Sequence, residues 1–332
     1  MTSPLTILVA IYSPFAAWNI PARYVDRLRD QFPGHHFLHA STEAEAVALI
    51  PQADIVFTAE LRPVHLAAAR RLRWAHSPAA GVGGILFPAM IQSPVVLTNS
   101  RGVSAETIAE HVIAVTLALF RKLPLTFSAQ AAHDWAQDAV LAGAPLRLIA
   151  GSDALVVGLG AIGRAAAQRF HALGARVTGI RRRASEPPPA GVDRVAPPDQ
   201  LLDLLAQTDI VVLATPQTSA TTGLIGVREL AAMRAGAVLV NVGRGPLVDE
   251  AALVSALAGA PAIGGAALDV FVEEPLPRHS PLWDLPNVVI TPHVAGFRPE
   301  HWGAVTTLFA GNLRRFEAGL PLENLVDKHA GY

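Results

Sequence analysis

The chain contains no cysteine, which excludes disulfides, thiolate nucleophiles and cysteine-ligated zinc. Lysine is almost as scarce: Lys122 and Lys328 are the only two, and the other basic residues are arginines. No Gly-Lys pair occurs, so there is no Walker-type phosphate loop. Neither lysine stands near another chemical motif, which argues against Schiff-base chemistry. Charged residues make up 16% of the chain and the net charge is near −1, so nothing draws nucleic acid or an anionic membrane electrostatically. No apolar run approaches the ~20 residues of a membrane span. The apolar start, MTSPLTILVAIYSPF, lacks the basic n-region of a signal peptide and reads as an early strand. A cytoplasmic protein is expected.

What is present is length and apolarity. The 332 residues, 51% of them hydrophobic, suit about two domains, each with its own core. The most informative stretch is Ala154–Arg164, ALVVGLGAIGR. A short buried strand passes into Gly158-Leu-Gly160-Ala161-Ile162-Gly163, and a helix follows. In such a turn one glycine permits the bend, one lets backbone approach a pyrophosphate, and one lets helix and strand pack closely. The free amides at the helix start then face the anion. The flanking strand and helix make this a nucleotide site.

Before that turn, strands around Leu5–Ile11, His36–His39, Ile55–Thr58 and Arg73–His76 alternate with helical patterns at Pro21–Phe32, Thr42–Ile50 and Leu66–Arg71. This rhythm predicts a small parallel α/β domain. His35, His36 and His39 cluster there without carboxylates beside them, and read as a solvated loop entering a strand rather than a metal site. A second glycine-rich loop, Ser77–Ile85, is either a plain turn or a nest of amides that grips a small anion such as a carboxylate. Ser104 is a candidate N-cap for the apolar helix Ala105–Arg121, which must be buried in the protein or against a second subunit. Thr126–Pro145 reads as an irregular arm carrying Trp135, plausible as a subunit contact.

After the glycine turn, Arg176–Ile180 is the second strand of a βαβ unit. An NAD site would place an acid at its end, on the ribose 2′-hydroxyl. This chain has Arg181, Arg182 and Arg183 instead. A carboxylate there would repel a 2′-phosphate and a guanidinium would grip it, so NADP(H) is favoured, with NAD(H) also possible. Pro187–Pro198 reads as a proline-rich surface connection. Further strands fall at Ile210–Ala214, Ala237–Asn241, Gly264–Val270 and Val288–Thr291, with Asp249 capping a helix Glu250–Ala258 and a last helix at Pro299–Ala318 that could return to the first domain.

Three groups stand just past strands of this half: Arg244, the pair Glu273 and Glu274, and His293. Ligands of open α/β sheets bind beyond the carboxyl ends of the strands. An arginine, an acid and a histidine converging there suit hydride transfer. The histidine exchanges a proton with the substrate oxygen, the carboxylate fixes the imidazole tautomer and favours its charged form, and the arginine polarises a carbonyl and clamps a carboxylate.

Several segments resemble the D-isomer-specific 2-hydroxyacid dehydrogenase family: VVGLGAIG at Val156–Gly163, LVNVGRGPLVD at Leu239–Asp249, AALDVFVEEP at Ala266–Pro275, TPHVAG at Thr291–Gly296, and the helix around Ala109-Glu110-His111. The resemblance covers residues 75–297; residues 1–70 match in architecture alone. It implies two Rossmann-like or flavodoxin-like parallel-sheet α/β domains with the active site in the cleft between them. The substrate domain would be discontinuous, 1–100 with 297–332, and the dinucleotide domain would be 101–296. It implies Arg244, Glu274 and His293 as the catalytic trio, with Glu274 preferred because it directly precedes the proline. Gly158, Gly160, Ala161, Ile162, Gly163, Arg181, Arg182, Thr215, Pro216, Val242, Gly243, Asp269 and Gly296 would meet the cofactor, Asp269 on the nicotinamide side. Ala80, Gly81 and Val82 would hold the substrate carboxylate, beside Arg244 and His293. A homodimer built on the nucleotide domains follows.

The chain departs from many relatives in having Gly83-Gly84 where they carry Asp-Asn or similar. Its arginine at position 182 matches the NADP-preferring glyoxylate/hydroxypyruvate reductases of the family, which makes small 2-keto acids the expected substrates, reduced to D-2-hydroxy acids. A phosphite-oxidising enzyme or a dinucleotide-sensing, corepressor-like binding protein would share the scaffold; a formate dehydrogenase would have glutamine in place of Glu274. Tyr12, Ser13 and Phe15 are the candidates for a side-chain pocket.

Overall fold

Strands form where β-branched and aliphatic residues run in short blocks closed by turn residues, and in the computed structural model they assemble into two all-parallel sheets. Residues 3–259 and 263–332 are described; the first two residues of the apolar N-terminal stretch fall outside. The chain divides into two units, Met1–Val103 with Arg298–Tyr332, and Ser104–Phe297.

The first unit has five strands, β1 (Thr6–Ala10), β2 (His36–His39), β3 (Ile55–Thr58), β4 (Trp74–Ser77) and β5 (Val96–Asn99), in the order β2-β1-β3-β4-β5. Because side chains alternate across a strand, Ile7 and Val9 enter one core and Leu8 and Ala10 the other. Covering both faces is what an all-parallel sheet requires. The helix Glu43–Leu49 begins where Thr42 Oγ1 accepts the Glu45 amide at 3.2 Å. The C-terminal helix His301–Glu317 belongs to this unit, and its Phe309 ring stacks on Phe57 and Trp74 with centroids 4.4 and 5.3 Å away.

The second unit has seven strands, β6 (Asp153–Val157), β7 (Arg176–Ile180), β8 (Arg194–Ala196), β9 (Ile210–Leu213), β10 (Val238–Asn241), β11 (Gly265–Leu268) and β12 (Val288–Ile290), in the order β12-β11-β10-β9-β6-β7-β8. Strand order reverses at β6, with β7 on one side and β9 on the other. Such a switch point opens a crevice beyond the strand ends. Leu155 and Val157 pack on one face, Ala154 and Val156 on the other beneath the helix Ala105–Phe120. That helix is buried through Ala109, Val112, Thr116 and Phe120.

Local readings from sequence were overturned in four places. Thr126–Pro145 is not irregular: helices occupy Leu123–Ala131 and Gln137–Leu141, the first opening with Pro124 in its first turn, where a missing N–H is harmless. The proline-rich connection hides β8, an edge strand that Pro197 follows, as an edge tolerates. Ser104 makes no side-chain cap. His35 is not solvated: its side chain is 6% exposed, accepts the Leu5 amide on Nδ1 and meets Glu317 Oε1 through Nε2 at 3.0 Å. No group of His, Asp or Glu suited to a metal ion occurs among the described residues. Nor is any single helix there long and apolar enough to cross a membrane.

Candidate functional site

The loops past β6, β9, β10, β11 and β12 touch one another in sequence of strand order. Gly158 has φ +100°, a left-handed value that glycine takes without penalty. A Cβ there would also lie 2.7 Å from the Ala214 carbonyl oxygen and 2.9 Å from Thr215 Cα. A Cβ on Gly163 would overlap the Gly158 carbonyl, so helix and turn meet without clearance for a side chain. Gly160 is different: a Cβ built on it would meet nothing within 4 Å. The helix Ala161–Ala172 starts here, and its first internal bond is from the Arg164 amide to the Gly160 carbonyl at 3.0 Å. The amides of Ala161, Ile162 and Gly163 therefore lack helical partners. Open space above Gly160 and a set of unspent amides fit a dinucleotide pyrophosphate.

At the end of β7 the arginines divide. Arg181 turns onto its own loop, donating to the Glu186 carbonyl and to the Pro187 carbonyl at 2.9 Å, with the Glu186 carboxylate 3.5 Å away. Arg182 is exposed. Arg181 thus braces the turn that presents Arg182, a distinction invisible in the run of three arginines.

Thr215 and Pro216 follow β9, and a Cβ on Gly243 would lie 2.9 Å from the Thr215 carbonyl oxygen, so the β9 and β10 loops are in contact. Val242, buried in the core, donates its amide to Leu213. The buried Asn241 shapes the next turn, accepting the Gly243 amide and donating to the Arg244 carbonyl, both at 3.0 Å. The Arg244 side chain folds back so that Nη1 donates to the Gly243 carbonyl at 2.7 Å. Burial pushes its guanidinium below the ordinary arginine value and the Glu274 carboxylate acts the other way; arginine keeps its charge regardless.

Glu274 is held at both oxygens. Oε1 accepts the Phe271 amide at 2.9 Å and Oε2 accepts His293 Nδ1–H at 2.7 Å. Burial alone would raise its carboxyl, but the hydrogen bonds from His293 and Phe271, with the charges of His293 and Arg244, leave it below the ordinary carboxylate value. Glu273 has no part in this contact. His293 has φ +54°, an uncommon left-handed backbone for a side chain of this size. Its loop is tied down by Asp269, whose carboxylate accepts the Thr291 hydroxyl at 2.6 Å and the amides of Val294 and Ala295 at 2.9 and 3.1 Å. His111 Nε2 lies 3.2 Å from the same Thr291 hydroxyl. Gly296 follows, where an added Cβ would lie 3.3 Å from Ser104 Cβ.

The second unit therefore brings the trio and the glycine turn to one edge of one sheet. Ala80, Gly81 and Val82 lie in the first unit, past β4. Tyr12 stands beyond β1, where burial raises its phenol, with Glu43 and Glu60 adding to the shift and Arg62 opposing it. Phe15 is 51% exposed. Sequence reasoning missed Asn241, Thr291 and His111 as supports; the last two are 180 residues apart, so no local pattern pairs them.

A glycine turn at a switch point with an Arg–Glu–His set on the same edge is the layout that dinucleotide-linked oxidoreductases use. Comparison with known proteins agrees. The family model for the D-isomer specific 2-hydroxyacid dehydrogenase NAD binding domain matches residues 113–295. Glyoxylate/hydroxypyruvate reductase B of Yersinia enterocolitica is 32% identical over 93% of this chain and 95% of its own length. The crystal structure of a D-isomer specific 2-hydroxyacid dehydrogenase family protein from Aeromonas salmonicida superposes with a TM-score of 0.83 at 32% identity, covering 98% of this chain and 100% of that one. An NADPH-dependent glyoxylate/hydroxypyruvate reductase from Sinorhizobium meliloti, in complex with NADP and sulfate, gives 0.83 at 27% identity over 98% and 100%. The chain belongs to the D-isomer specific 2-hydroxyacid dehydrogenase family.

Proposed function

We propose that this protein is an NADPH-dependent reductase of small 2-keto acids, glyoxylate or hydroxypyruvate foremost, giving D-2-hydroxy acids. The observation that carries the reading is the 2.7 Å contact between His293 Nδ1 and Glu274 Oε2, with the other carboxylate oxygen held by the Phe271 amide. With Nδ1–H fixed on a carboxylate, Nε2 is the ring position that exchanges a proton with substrate. The imidazolium gives that proton to the carbonyl oxygen during reduction, and the neutral ring takes it from the hydroxyl during oxidation. Glu274 stays ionised throughout and stabilises the charged ring. Arg244, rigid on the Asn241 turn, binds the substrate carboxylate and draws electron density toward the carbonyl oxygen. In the first unit, the amides of Ala80, Gly81 and Val82 suit a substrate carboxylate.

The nicotinamide cofactor, when bound, supplies the hydride. Its pyrophosphate suits Gly158–Gly163, its 2′-phosphate suits Arg182 on the turn that Arg181 braces, and Thr215, Pro216, Val242, Gly243, Asp269 and Gly296 line the rest. The Sinorhizobium relative is named as NADPH-dependent and was solved with NADP, which supports the same preference; NAD(H) remains the alternative. The deciding measurement is absorbance at the nicotinamide band with NADPH or NADH and a panel of 2-keto acids. Turnover of glyoxylate or hydroxypyruvate with NADPH is expected, and its absence with every keto acid overturns the reading.

A homodimer is part of this proposal. The arm 123–148 leaves Phe127, Trp135, Leu141 and Leu148 59%, 87%, 60% and 66% exposed, a grouping that marks a contact surface. Sedimentation should give twice the chain mass, and Trp135→Glu should shift it to monomer.

A further inference from the structure

Beneath the loop Ser77–Gly84, in the first unit, four side chains form one hydrogen-bonded line. Its direction can be read from both ends. The Ser100 hydroxyl donates to the Ser77 carbonyl at 2.9 Å. Its single hydrogen is thereby engaged, so at its 3.1 Å contact with His76 Nε2 it accepts, and Nε2 carries the ring hydrogen. At the other end Trp74 Nε1, which can only donate, gives its hydrogen to Thr98 Oγ1 at 2.8 Å. The Thr98 hydroxyl is then the donor to His76 Nδ1 at 2.6 Å. His76 is fully buried among the rings of Phe57, Trp74 and Phe309. Burial pushes its imidazole down to about 3, so a single neutral tautomer serves the line at working pH.

The line ends on the anion loop, and it does not act alone there. The Ala79 carbonyl accepts the Ser100 amide at 3.0 Å, and the Ala80 carbonyl accepts the Asn99 side-chain amide at 2.6 Å. Three carbonyls of the loop, those of Ser77, Ala79 and Ala80, are therefore fastened to residues at the end of β5. The amides of Ala80, Gly81 and Val82 have no partner among the described residues. With these three carbonyls drawn one way, the amides that follow are left for an outside acceptor.

We propose that His76 is a positioning residue for substrate capture: by linking Thr98 to Ser100 it fixes the Ser77 carbonyl and so holds the Ala80–Val82 amides in the arrangement that receives the substrate carboxylate. The inference rests on the reading that this loop binds the carboxylate. It adds that the affinity for keto acid is set from a buried imidazole that never touches it.

Steady-state kinetics on folded variants tests both layers. Ser100→Ala cuts the last link, His76→Leu removes the centre, and Thr98→Ser keeps the hydroxyl as the conservative control. Ser100→Ala and His76→Leu should each raise KM for the keto acid about tenfold, the cost of one well-placed hydrogen bond. KM for NADPH and kcat should hold within about twofold, as expected when only ground-state and transition-state binding alike is lost. Thr98→Ser should match the wild type. An unchanged KM for the keto acid in folded Ser100→Ala overturns the proposal. So does a parallel loss in all three constants that follows a fall in Tm, since that marks a role in folding alone. Where His76→Leu fails to fold, Ser100→Ala decides. Gly81→Pro, which removes an amide from the loop itself, separates the layers. If it leaves KM unchanged, the carboxylate reading fails; if it raises KM while Ser100→Ala does not, the role of His76 alone fails.

Discussion

Asp269 holds Thr291. One carboxylate oxygen accepts the threonine hydroxyl at 2.6 Å, and the same carboxylate takes the Val294 and Ala295 amides at 2.9 and 3.1 Å. Residues 291, 294 and 295 bracket His293, so one side chain just past β11 fixes the backbone on both sides of the imidazole whose ring Glu274 holds. The left-handed backbone of His293 is a conformation that persists only when its surroundings impose it.

Asp269→Asn puts this to the test. Asparagine has a single acceptor: with its oxygen at the Oδ1 position, its NH2 is turned against the Ala295 amide that Oδ2 now accepts at 3.1 Å, and the negative charge on the three donors is lost. A displacement of the imidazole by about an ångström is enough to lower kcat roughly 10²-fold. The expected result is a fall of that order with far-ultraviolet circular dichroism unchanged. A wild-type kcat in the folded variant would show that the loop keeps its place without the carboxylate. Thr291→Val, which leaves both amide contacts intact, should have the milder effect.

The proposed trio is tested by removing the histidine to which proton transfer is assigned. His293→Ala should reduce kcat by roughly 10²–10⁴-fold, with NADPH binding measured by fluorescence unaltered. Glu274→Gln retains size but offers only one acceptor to the two donors that now share its carboxylate. It should reduce kcat by roughly 10–10²-fold through misorientation of the ring. Glu273→Gln, one residue away and outside that contact, should leave kcat as it was; a loss equal to that of Glu274→Gln would reverse the choice between the two acids.

Where motif and contact are local, they were legible in the chain. Gly158–Gly163 announces its turn because steric demands on three nearby glycines are written as spacing. That Arg244, Glu274 and His293 stand past strand ends could be read because each follows a short aliphatic strand. Asp249 was read as a cap and does accept the Ala252 amide at 3.0 Å. What the sequence hides is of two kinds. Short helices opened by proline, such as Pro88–Gln92, resemble loops because the same residue serves both. Long-range hydrogen-bonded groups, such as His111 with Thr291 or His76 with Thr98 and Ser100, depend on strand order, which no local pattern records. His35 shows the limit from the other side: its sequence neighbours are polar, yet the helix His301–Glu317 covers it.

The division of labour between Arg181 and Arg182 gives a cofactor prediction. Arg182→Ala should raise KM for NADPH about tenfold or more, the loss of a charge-assisted contact to phosphate, and leave KM for NADH unchanged. Arg181→Ala releases the Glu186 and Pro187 carbonyls and frees the turn as a whole, so both cofactors should bind less well. An unchanged KM for NADPH in Arg182→Ala would remove that residue from the 2′-phosphate site.

His76 also predicts how the first unit responds to acid. Its imidazole titrates at about 3 in the folded chain against an ordinary value of 6.5. Between those two values the unfolded chain binds a proton at this position and the folded chain does not. Stability therefore falls as pH is lowered through that window, with full stability above 6.5 and the loss complete near 3. The slope for one such group is at most about 1.4 kcal/mol per pH unit. Denaturant unfolding of wild type and His76→Gln, followed at Trp74 and its neighbours from pH 7 to pH 4, measures the difference. Glutamine cannot charge, so the variant starts from a lower stability at pH 7 but should lose less of it on acidification. Parallel pH dependences would mean that the imidazole is reached by protons in the folded state, and that the buried line from Trp74 to Ser77 opens far more readily than its packing implies.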